Sequence, residues 1–185
     1  MLEQAGVVFS IEPAQVDEGA IRDALLARHQ PSSPVEIAQA LARAKAEAVS
    51  KHHHQAIVIG SDQILNLGPV IMTKPGDLAG ARETLCRLRG RTHQLHSAVS
   101  IAVDGEAVWS TVDNVNLTMR SFSDAFLDRY LELEGDGLFD CVGAFKIEGR
   151  GLQLFEKIEG DYFTILGMPL LPLLGELRAR GALTS

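Results

Sequence analysis

The most constraining feature of this sequence is a short, unbroken apolar run, Ala56-Ile57-Val58-Ile59-Gly60. A run of this length without alternating polar residues is typical of a strand that is buried on both faces of a sheet. The polar residues Ser61 and Asp62 follow it directly, so we expect them at the C-terminal end of that strand. In open α/β sheets, this end of the strands is where ligands bind.

Helix and strand patterns alternate along most of the remaining chain. Ser33 and Pro34 are typical of an N-cap and a first-turn proline, and they predict a helix that runs to about Lys51. Further patterns predict helices at 77–88, at 123–133 and after Pro169, and strands at 92–103, 106–119 and 155–158, with Asp104-Gly105 as a hairpin turn. This order favours an α/β fold with a mixed sheet flanked by helices.

The beginning of the chain carries two local signals. Leu2-Glu3-Gln4-Ala5-Gly6 is typical of the last turn of a helix that ends at a glycine. Val7-Val8-Phe9-Ser10-Ile11 is strand-like. We therefore expect a helix end followed by a strand.

Composition restricts the class of protein. With 185 residues, 46% of them apolar and 22% charged, residues 1–185 suffice for a single domain with a sizeable core. The net charge of −7 and the lack of a basic run oppose binding to a nucleic acid polymer. We expect no membrane association and a cytoplasmic protein, because no apolar run approaches the roughly 20 residues of a membrane span and no secretion signal is present.

Neither the cysteines nor the histidines predict a metal site. Cys86 and Cys141 stand far apart without a Cys-x-x-Cys pair, which indicates neither a disulfide framework nor a thiolate metal site. We expect both to be reduced residues in or near the core. The adjacent residues His52-His53-His54 point in different directions and form no chelating pair at helical spacing, so we expect a solvated run.

Several polar residues are candidates for chemistry, and each has a structural alternative. Asp62 at a strand end suits binding a divalent ion or activating water, or else an Asx turn. Lys74, before Pro75-Gly76-Asp77, suits a phosphate-pairing cation or a solvated turn that leads into a helix. The Gly90-Arg91-Thr92-His93 block is also typical of a plain helix end. The other candidates are Glu18, Lys146, Glu148 and Asp161.

Taken in order, these blocks resemble the Maf family. The matching blocks are Val16-Asp17-Glu18, Ala42-Arg43-Ala44-Lys45-Ala46, Val58-Ile59-Gly60-Ser61-Asp62-Gln63, Lys74-Pro75, Gly90-Arg91-Thr92-His93, Gly143-Ala144-Phe145-Lys146-Ile147-Glu148-Gly149, and Ile158-Glu159-Gly160-Asp161-Tyr162 followed by Leu166-Gly167-Met168-Pro169-Leu170. The resemblance covers nearly the whole chain.

The resemblance implies an α/β fold of two lobes around a cleft, usually in a homodimer. It implies a house-cleaning hydrolase that cleaves the α–β phosphate bond of a nucleoside triphosphate with a divalent metal, Mg or Mn. Asp62 matches the proton acceptor of the family and Glu18 the acidic residue near the metal and phosphates, so both are expected metal ligands. Lys45 and Lys74 match cations that face the polyphosphate.

The residues expected to contact the substrate are Gln63, Thr92, Lys146 and Glu148. Ser-Asp-Gln at 61–63 and Phe-Lys-x-Glu-Gly at 145–149 resemble the branch that acts on 7-methyl-GTP. Many other members carry Asp-Thr and Gly-Ile-Gln-Gly there and resemble pyrimidine (dTTP, UTP) pyrophosphatases. A carboxylate such as Glu148 accepts hydrogen bonds from a guanine edge and favours a cationic methylated ring. The alternative for Lys146 and Glu148 is a surface ion pair.

The sequence departs from the family pattern in two places. Family members begin with a strand and a phosphate-holding Ser-x-Ser-Pro-Arg-Arg loop. This chain starts inside the helix that should follow, so we expect an N-terminally incomplete domain with an empty sheet position. Ser97-Ala98 replaces the usual Thr-Gly. Two alternatives stay open, a catalytically inert nucleotide-binding or regulatory protein and an α/β domain without a nucleotide role.

Overall fold

A computed structural model describes residues 1–184 and includes a five-stranded sheet. Its strands are β1 (Val58–Leu67), β2 (Val70–Met72), β3 (Thr92–Val103), β4 (Glu106–Met119) and β5 (Phe155–Glu159). They are ordered β2-β1-β3-β4-β5, and the edge strands β2 and β5 pair antiparallel with β1 and β4. The sheet is therefore built outward from a central β1-β3-β4 group.

The helices are interspersed with these strands along the chain. They are α1 (Glu18–Leu26), α2 (Pro34–Ser50), α3 (Leu78–Leu88), α4 (Asp124–Glu134), α5 (Tyr162–Ile165) and α6 (Leu170–Ala179), with short 3₁₀ helices at Gly135–Leu138 and Arg150–Leu154. Within residues 1–184, none of the helices is long and apolar enough to cross a membrane. The predicted α/β class is confirmed.

Local sequence signals explain where α2 and the central hairpin form. Ser33 Oγ accepts a hydrogen bond from the Glu36 N–H, and the Glu36 carboxylate accepts one from the Ser33 N–H, which is a capping box at the start of α2. Asp104 and Gly105 have φ angles of 51° and 85°, as a two-residue type I′ hairpin turn requires. The predictions of α2 and of the β3–β4 hairpin are confirmed.

Contacts along the chain divide it into two compact units. Unit 1 comprises Met1–Gln63, His96–Asp113 and Asp161–Ser185, and unit 2 comprises Ile64–Leu95 and Asn114–Gly160. The strands β1, β3 and β4 each contribute residues to both units.

Each unit has its own buried apolar residues. In unit 1, a core cluster joins β3 to α6 through Val99, Ile101, Leu173 and Leu177. In unit 2, fully buried side chains include Leu85, Leu88, Leu95, Leu127 and Leu154. Burial of one such side chain stabilises a fold by about 1.5–3 kcal/mol, so both groups of polar residues described below rest on packed scaffolds.

The position of Asp62 within its strand differs from the prediction. β1 continues through Asp62 and Gln63 to Leu67, so Asp62 lies inside the strand and not at its C-terminal end. Polar side chains inside a strand are stable when they are hydrogen-bonded. Asp62 accepts a hydrogen bond from Lys45, and Gln63 donates one to Ser97. These tertiary pairings allow the strand to extend beyond the apolar run.

The beginning of the chain agrees with one of its two predictions. The N–H groups of Gly6 and Val7 donate to the carbonyls of Glu3 and Leu2, and Gly6 has a φ of 78°, which is the Schellman pattern of a helix end. The predicted strand at 7–11 is wrong, because no described residue from 7 to 17 belongs to a strand. A strand needs a neighbour to satisfy its backbone groups, and none of the sheet strands within residues 1–184 pairs with this segment.

Gly60 brings α2 close to β1. A Cβ atom at Gly60 would lie 2.5 Å from the Ala42 carbonyl oxygen and 2.6 Å from the Ala46 nitrogen. Any other residue would push the α2 backbone away from the strand, since no flexible side chain is available to yield. This contact fixes the distance between β1 and the part of α2 that carries Lys45.

The cysteines and the histidine run lie toward the surface. His52, His53 and His54 are exposed, which confirms the predicted solvated run. Cys141 is partly buried, as expected, but Cys86 is exposed. The prediction for Cys86 is wrong because α3 buries the face that carries other residues, namely Ala81, Thr84, Leu85 and Leu88.

Candidate active site

Glu18, Lys45 and Asp62 meet in unit 1. Asp17 caps α1 by accepting a hydrogen bond of 2.8 Å from the Ala20 N–H, which places Glu18 in the first helical turn. Lys45 Nζ lies 2.9 Å from Glu18 Oε1 and 2.7 Å from Asp62 Oδ1. One ammonium group on α2 therefore joins carboxylates from α1 and β1, and we call these residues the charged trio.

The charged trio is most shielded at Asp62. Side-chain exposure is 8% for Asp62, 23% for Lys45 and 52% for Glu18. Burial acts to lower the pKa of Lys45, but the hydrogen bonds and charges of Asp62 and Glu18 outweigh it, so the pKa of Lys45 is raised. Lys45 is thus protonated at neutral pH, and Asp62 accepts a charge-assisted hydrogen bond in a largely water-excluded position.

The two carboxylates are also suitable oxygen ligands for a divalent metal. Mg²⁺ is usually held by one or two carboxylates together with water and substrate phosphates. Glu18 and Asp62 fit this donor set because both reach the same ammonium group. In the described part of the chain, no three or more His, Cys, Asp or Glu side chains form a metal-binding group, so further ligands would come from phosphate and water.

Gln63 is bound within unit 1. Its Nε2 lies 2.8 Å from Ser97 Oγ, 3.1 Å from the Thr164 carbonyl oxygen and 3.0 Å from that of Ile165. Ser97 Oγ also donates to the Thr164 carbonyl at 2.6 Å. The amide nitrogen of Gln63 therefore joins β1 to β3 and α5, and a substrate contact would fall to its amide oxygen.

Thr164 is the centre of a polar network that the sequence did not reveal. Its Oγ1 donates to Asp113 Oδ2 at 2.8 Å, and its N–H donates to Asp161 Oδ2 at 2.9 Å. Asp161, a candidate for chemistry, is the N-cap of α5. Ser97, which lies in one of the departures from the family pattern, takes part in this network through its hydroxyl.

Three of the predicted residues of unit 2 affect the thiol of Cys141 through their charges. Burial raises the pKa of the Cys141 thiol. The charges of Lys146 and Lys74 act to lower that pKa, and the charge of Glu148 acts to raise it further. Lys74, Lys146 and Glu148 are therefore near enough to Cys141 for their charges to act on its pKa, and their shared substrate contact stays a prediction.

The surface ion pair considered for Lys146 and Glu148 is not formed. Within residues 1–184, none of the described ion pairs joins these two side chains. The Lys146 ammonium lies instead over Gly137, where a Cβ atom would be 2.9 Å from Nζ. Because Gly137 has no side chain, the end of the Lys146 side chain can occupy this space.

The segment 143–149, which we call the selection loop, is held through its backbone. The Tyr130 hydroxyl, on α4, donates to the Ala144 carbonyl at 3.3 Å. A Cβ atom at Gly151 would lie 2.4 Å from the Lys146 carbonyl oxygen and 2.7 Å from its nitrogen. Gly151, which follows the loop, thus packs tightly against the loop backbone at Lys146, while Glu148 is exposed.

His93 supports the selection loop from the core. Its ring centroid lies 5.9 Å from that of Phe145 and 6.0 Å from that of Phe155. His93 is 1% exposed, and neither ring nitrogen has a hydrogen-bond partner among residues 1–184. Burial lowers the pKa of His93 to about 4, so the ring is neutral at pH 7 and packs as an aromatic side chain.

Thr92 and Lys74 lie at the surface of unit 2. Thr92 Oγ1 is 2.9 Å from Thr118 Oγ1 on the neighbouring strand β4. Lys74 is exposed and precedes Asp77, which caps α3. The turn predicted at Lys74, which leads into α3, is therefore present. The substrate contacts expected of Lys74 and Thr92 stay predictions.

Comparison with known proteins places the chain among relatives over nearly its whole length. The chain matches a family described as Maf-like protein over residues 1–180. It is 50% identical over 184 residues to the nucleoside triphosphate pyrophosphatase of Caulobacter vibrioides, which covers 100% of this chain and 91% of that protein. It is 46% identical over 183 residues to the 7-methyl-GTP pyrophosphatase of Rhizobium meliloti, with coverage of 99% and 91%. The corresponding protein of Brucella abortus is 48% identical over 178 residues, with coverage of 96% and 88%. With a family match over residues 1–180 and relatives of 46–50% identity over nearly the whole chain, the chain belongs to the Maf-like protein family.

Proposed function

We propose that this protein is a nucleoside triphosphate pyrophosphatase that cleaves the α–β phosphate bond of 7-methyl-GTP. The observation that carries the proposal is the charged trio, in which a shielded carboxylate, an ammonium group and a second carboxylate meet at one point. The names of the relatives in Rhizobium meliloti, Brucella abortus and Caulobacter vibrioides support the same reaction. The products are 7-methyl-GMP and pyrophosphate.

Asp62 is the base in this proposal. A water molecule attacks the α-phosphorus, its oxygen forms the new bond, and the bond from that phosphorus to the bridging oxygen breaks. Asp62 takes the proton of the attacking water, and pyrophosphate leaves with the bridging oxygen. General base catalysis of this kind contributes about 10²- to 10⁴-fold. The low exposure of Asp62, 8%, suits it to this role because competing water is largely excluded.

Lys45 and Lys74 supply positive charge. Lys45 holds Asp62 in place through the 2.7 Å ion pair, and its ammonium group can turn from Glu18 to a phosphate oxygen without leaving Asp62. Lys74 is exposed in unit 2 and gives a second cation for the polyphosphate. Charge that is positioned before the reaction stabilises the transition state more than charge that must rearrange.

A divalent metal, Mg or Mn, is part of the proposal. Glu18 and Asp62 would hold it, because their carboxylates lie 2.9 and 2.7 Å from the same atom, Lys45 Nζ. Phosphate oxygens and water would complete its ligands. When bound, the metal would neutralise charge on the polyphosphate.

The selection loop and its neighbours would recognise the base. Glu148 suits the methylated, cationic guanine ring, and Lys146 suits an acceptor on the same base or a phosphate. Thr92 and the amide oxygen of Gln63 are the further substrate contacts that we propose. We also propose a cytoplasmic homodimer of single-domain chains that binds no nucleic acid polymer, in line with the net charge of −7.

The test is an assay of pyrophosphate release by the purified protein with Mg²⁺ or Mn²⁺. We expect turnover of 7-methyl-GTP to exceed that of UTP and dTTP. Asp62→Asn should lower kcat by at least about 10²-fold and leave nucleotide binding measurable by calorimetry. The matched control is Asp23→Asn, because Asp23 lies on α1 with its side chain 76% exposed and should not change the rate.

The outcomes of this assay separate the alternatives. Turnover of UTP or dTTP above that of 7-methyl-GTP would assign a pyrimidine pyrophosphatase. Binding of nucleotide without turnover of any of them would assign an inert binding protein. An undiminished rate in Asp62→Asn would exclude Asp62 as the base.

A further inference from the structure

Gln63 carries a side-chain amide whose orientation is fixed by its neighbours in unit 1. Its Nε2 lies 3.1 Å from the Thr164 carbonyl oxygen and 3.0 Å from the Ile165 carbonyl oxygen. A carbonyl oxygen accepts hydrogen bonds and donates none. The end of the amide that faces these two carbonyls must therefore be the NH₂ group, because an oxygen there would meet two acceptors with no hydrogen between them.

The hydroxyl of Ser97 supports the same orientation through the direction of its own hydrogen bond. A hydroxyl has one proton to donate, and Ser97 Oγ donates it to the Thr164 carbonyl at 2.6 Å. Ser97 Oγ is consequently an acceptor toward Gln63, and it receives the hydrogen bond of 2.8 Å from Nε2. The NH₂ group of Gln63 thus uses its protons within unit 1, and the amide oxygen Oε1 is the polar atom that remains for a substrate.

Thr164 holds the acceptors of this amide in place. It is fully buried, and its Oγ1 donates to Asp113 Oδ2 at 2.8 Å while its N–H donates to Asp161 Oδ2 at 2.9 Å. One carboxylate on β4 and another at the N-cap of α5 therefore fix both the side chain and the backbone of Thr164. Hydrogen bonds to carboxylates are stronger than those between neutral groups, so the carbonyls that bind Gln63 have little freedom to move.

We propose that Thr164 is a positioning residue that makes Gln63 a hydrogen-bond acceptor for the nucleotide, a role that rests on the pyrophosphatase function proposed above. The amide oxygen of Gln63 then binds a donor of the substrate, either an N–H group of the base or a hydroxyl of the ribose. An amide that turns freely can donate or accept. The fixed amide accepts only, and it therefore selects for a donor.

This positioning acts on binding in two ways. The Gln63 amide is ordered before the nucleotide arrives, so less side-chain entropy is lost when the nucleotide binds. A nucleotide that offers an acceptor at the same place would leave two acceptors facing each other, which is costlier than a missing contact. Thr164 needs no contact with the substrate for either effect, because both act through Gln63.

The first test separates KM from kcat. Thr164→Val removes the hydroxyl and keeps the size of the side chain. We expect KM for 7-methyl-GTP to rise about three- to tenfold and kcat to stay within about twofold, because Asp62 is unchanged. Thr164→Ser keeps the hydroxyl and should restore KM. Thr111→Val is the matched control, since Thr111 is a partly buried threonine of β4 in unit 1 outside this network.

A purely structural role of Thr164 would give a different result. Loss of folded protein lowers the active fraction and therefore kcat, and it leaves KM unchanged. An unchanged KM in Thr164→Val, or a raised KM that Thr164→Ser does not restore, would overturn the proposal.

Nucleotide analogues identify the donor that Gln63 binds. The donors of 7-methyl-GTP include an exocyclic amine, a ring N–H and two ribose hydroxyls, and four analogues each lack one of them. We expect one analogue to lower kcat/KM by about three- to tenfold in the unchanged protein. The same analogue should cause no further loss in Gln63→Met, which already lacks the acceptor. Equal losses in the two proteins for every analogue would overturn the proposal.

NMR of the full chain measures the orientation without any nucleotide. The side-chain N–H protons of Gln63 should exchange with water at least about tenfold more slowly than those of the exposed Gln153, and equal rates would overturn the proposal. Neither this measurement nor the analogue series needs a substitution at Thr164, so both decide the question even if Thr164→Val does not fold. If no nucleotide is turned over, the proposed function fails, and the Kd from calorimetry replaces KM in the same comparisons. Binding of none of the nucleotides would overturn the role of Gln63 as well.

Discussion

The two units hold their predicted site residues in opposite ways. In unit 1, Lys45 binds Glu18 and Asp62 directly, at 2.9 and 2.7 Å. In unit 2, Lys146 and Glu148 form no described ion pair with each other within residues 1–184. The backbone of the selection loop is fixed beneath them by hydrogen bonding, close packing and the aromatic rings of the core.

In the function that we propose, this difference separates a reaction step common to all substrates from the recognition of a particular base. Charges that pair with each other are in position before a substrate arrives, which suits a reaction that is the same for every nucleoside triphosphate. Side chains that are held only through their backbone can be exchanged without disturbing the fold, which suits recognition of different bases. The predictions below test this division.

The largest effect is expected for Lys45→Met, which removes the charge at the centre of the trio. We expect kcat for pyrophosphate release to fall by about 10²- to 10³-fold, because the phosphates lose a positioned cation and Asp62 loses its ion-pair partner. The matched control is Lys51→Met at the end of the same helix, where the lysine is exposed. If Lys45→Met kept its rate, the trio would be a structural ion pair only.

The next effect concerns stability and tests the aromatic support of the selection loop. The pKa of folded His93, about 4, lies below its ordinary value of 6.5. The unfolded chain therefore binds the proton first as pH falls. The contribution of neutral, buried His93 to the free energy of unfolding is therefore complete above pH 6.5. It is lost as the pH falls toward 4, and the total loss is up to about 3 kcal/mol.

Urea unfolding at several pH values measures this contribution. His93→Phe keeps an aromatic ring without a titratable group, so its free energy of unfolding should fall less between pH 6.5 and 4 than that of the unchanged protein. Equal losses in the two proteins would show that His93 is not buried as a neutral ring. The same variant should leave kcat at pH 7.5 within about twofold, since the ring acts through packing.

A smaller effect is expected for Glu148→Gln, which keeps size and removes charge. The ratio of kcat/KM for 7-methyl-GTP over UTP should fall by about 10- to 30-fold, because a charged partner of the methylated ring is lost. Thermal stability should not change, since Glu148 is exposed. Glu156→Gln on β5 is the exposed control in unit 2, and an equal fall in that variant would contradict a role for Glu148 in selection.

The smallest effect is expected for Gly137→Ala. The new Cβ would lie 2.9 Å from Lys146 Nζ, and the end of a flexible side chain can move aside at little cost. We expect KM to rise about three- to fivefold with stability unchanged within about 0.5 kcal/mol. Gly175→Ala in α6 is the control, because a Cβ there would meet no atom within 4 Å beyond its chain neighbours and its own helix backbone. An unchanged KM would show that the position of the Lys146 ammonium does not matter for binding.

Local sequence signals were sufficient to predict the helices and turns whose caps and turn residues lie close together in the sequence. The capping box of α2 and the Asp104-Gly105 turn are examples, because each forms from residues close in sequence. The extent of β1 and the state of Val7–Ile11 could not be read in this way. Both depend on whether a distant partner satisfies the strand, and that is set by tertiary contacts.

For the site, the sequence named residues but not their contacts. Glu18, Lys45 and Asp62 were each expected near the phosphates, yet their meeting at one ammonium group depends on how closely Gly60 lets α2 approach β1. His93 stood in a basic block and was found in the core, because packing against Phe145 decides its burial. Ser97 was noted because it lies in a departure from the family pattern. Its hydrogen bond to Thr164 could not be predicted, since the two residues are far apart in sequence.

Cys141 offers a natural attachment point for an optical reporter. Its thiol is partly buried, and the charges of Lys74, Lys146 and Glu148 act on its pKa, so we expect the emission of a small fluorophore attached there to change if a polyphosphate binds near these side chains. The raised pKa of Cys141 means that labelling proceeds faster in mildly alkaline buffer. Because Cys86 is exposed, it would be replaced by serine first, and the remaining thiol would then follow nucleotide binding in unit 2 in real time, without radioactivity or a coupled enzyme.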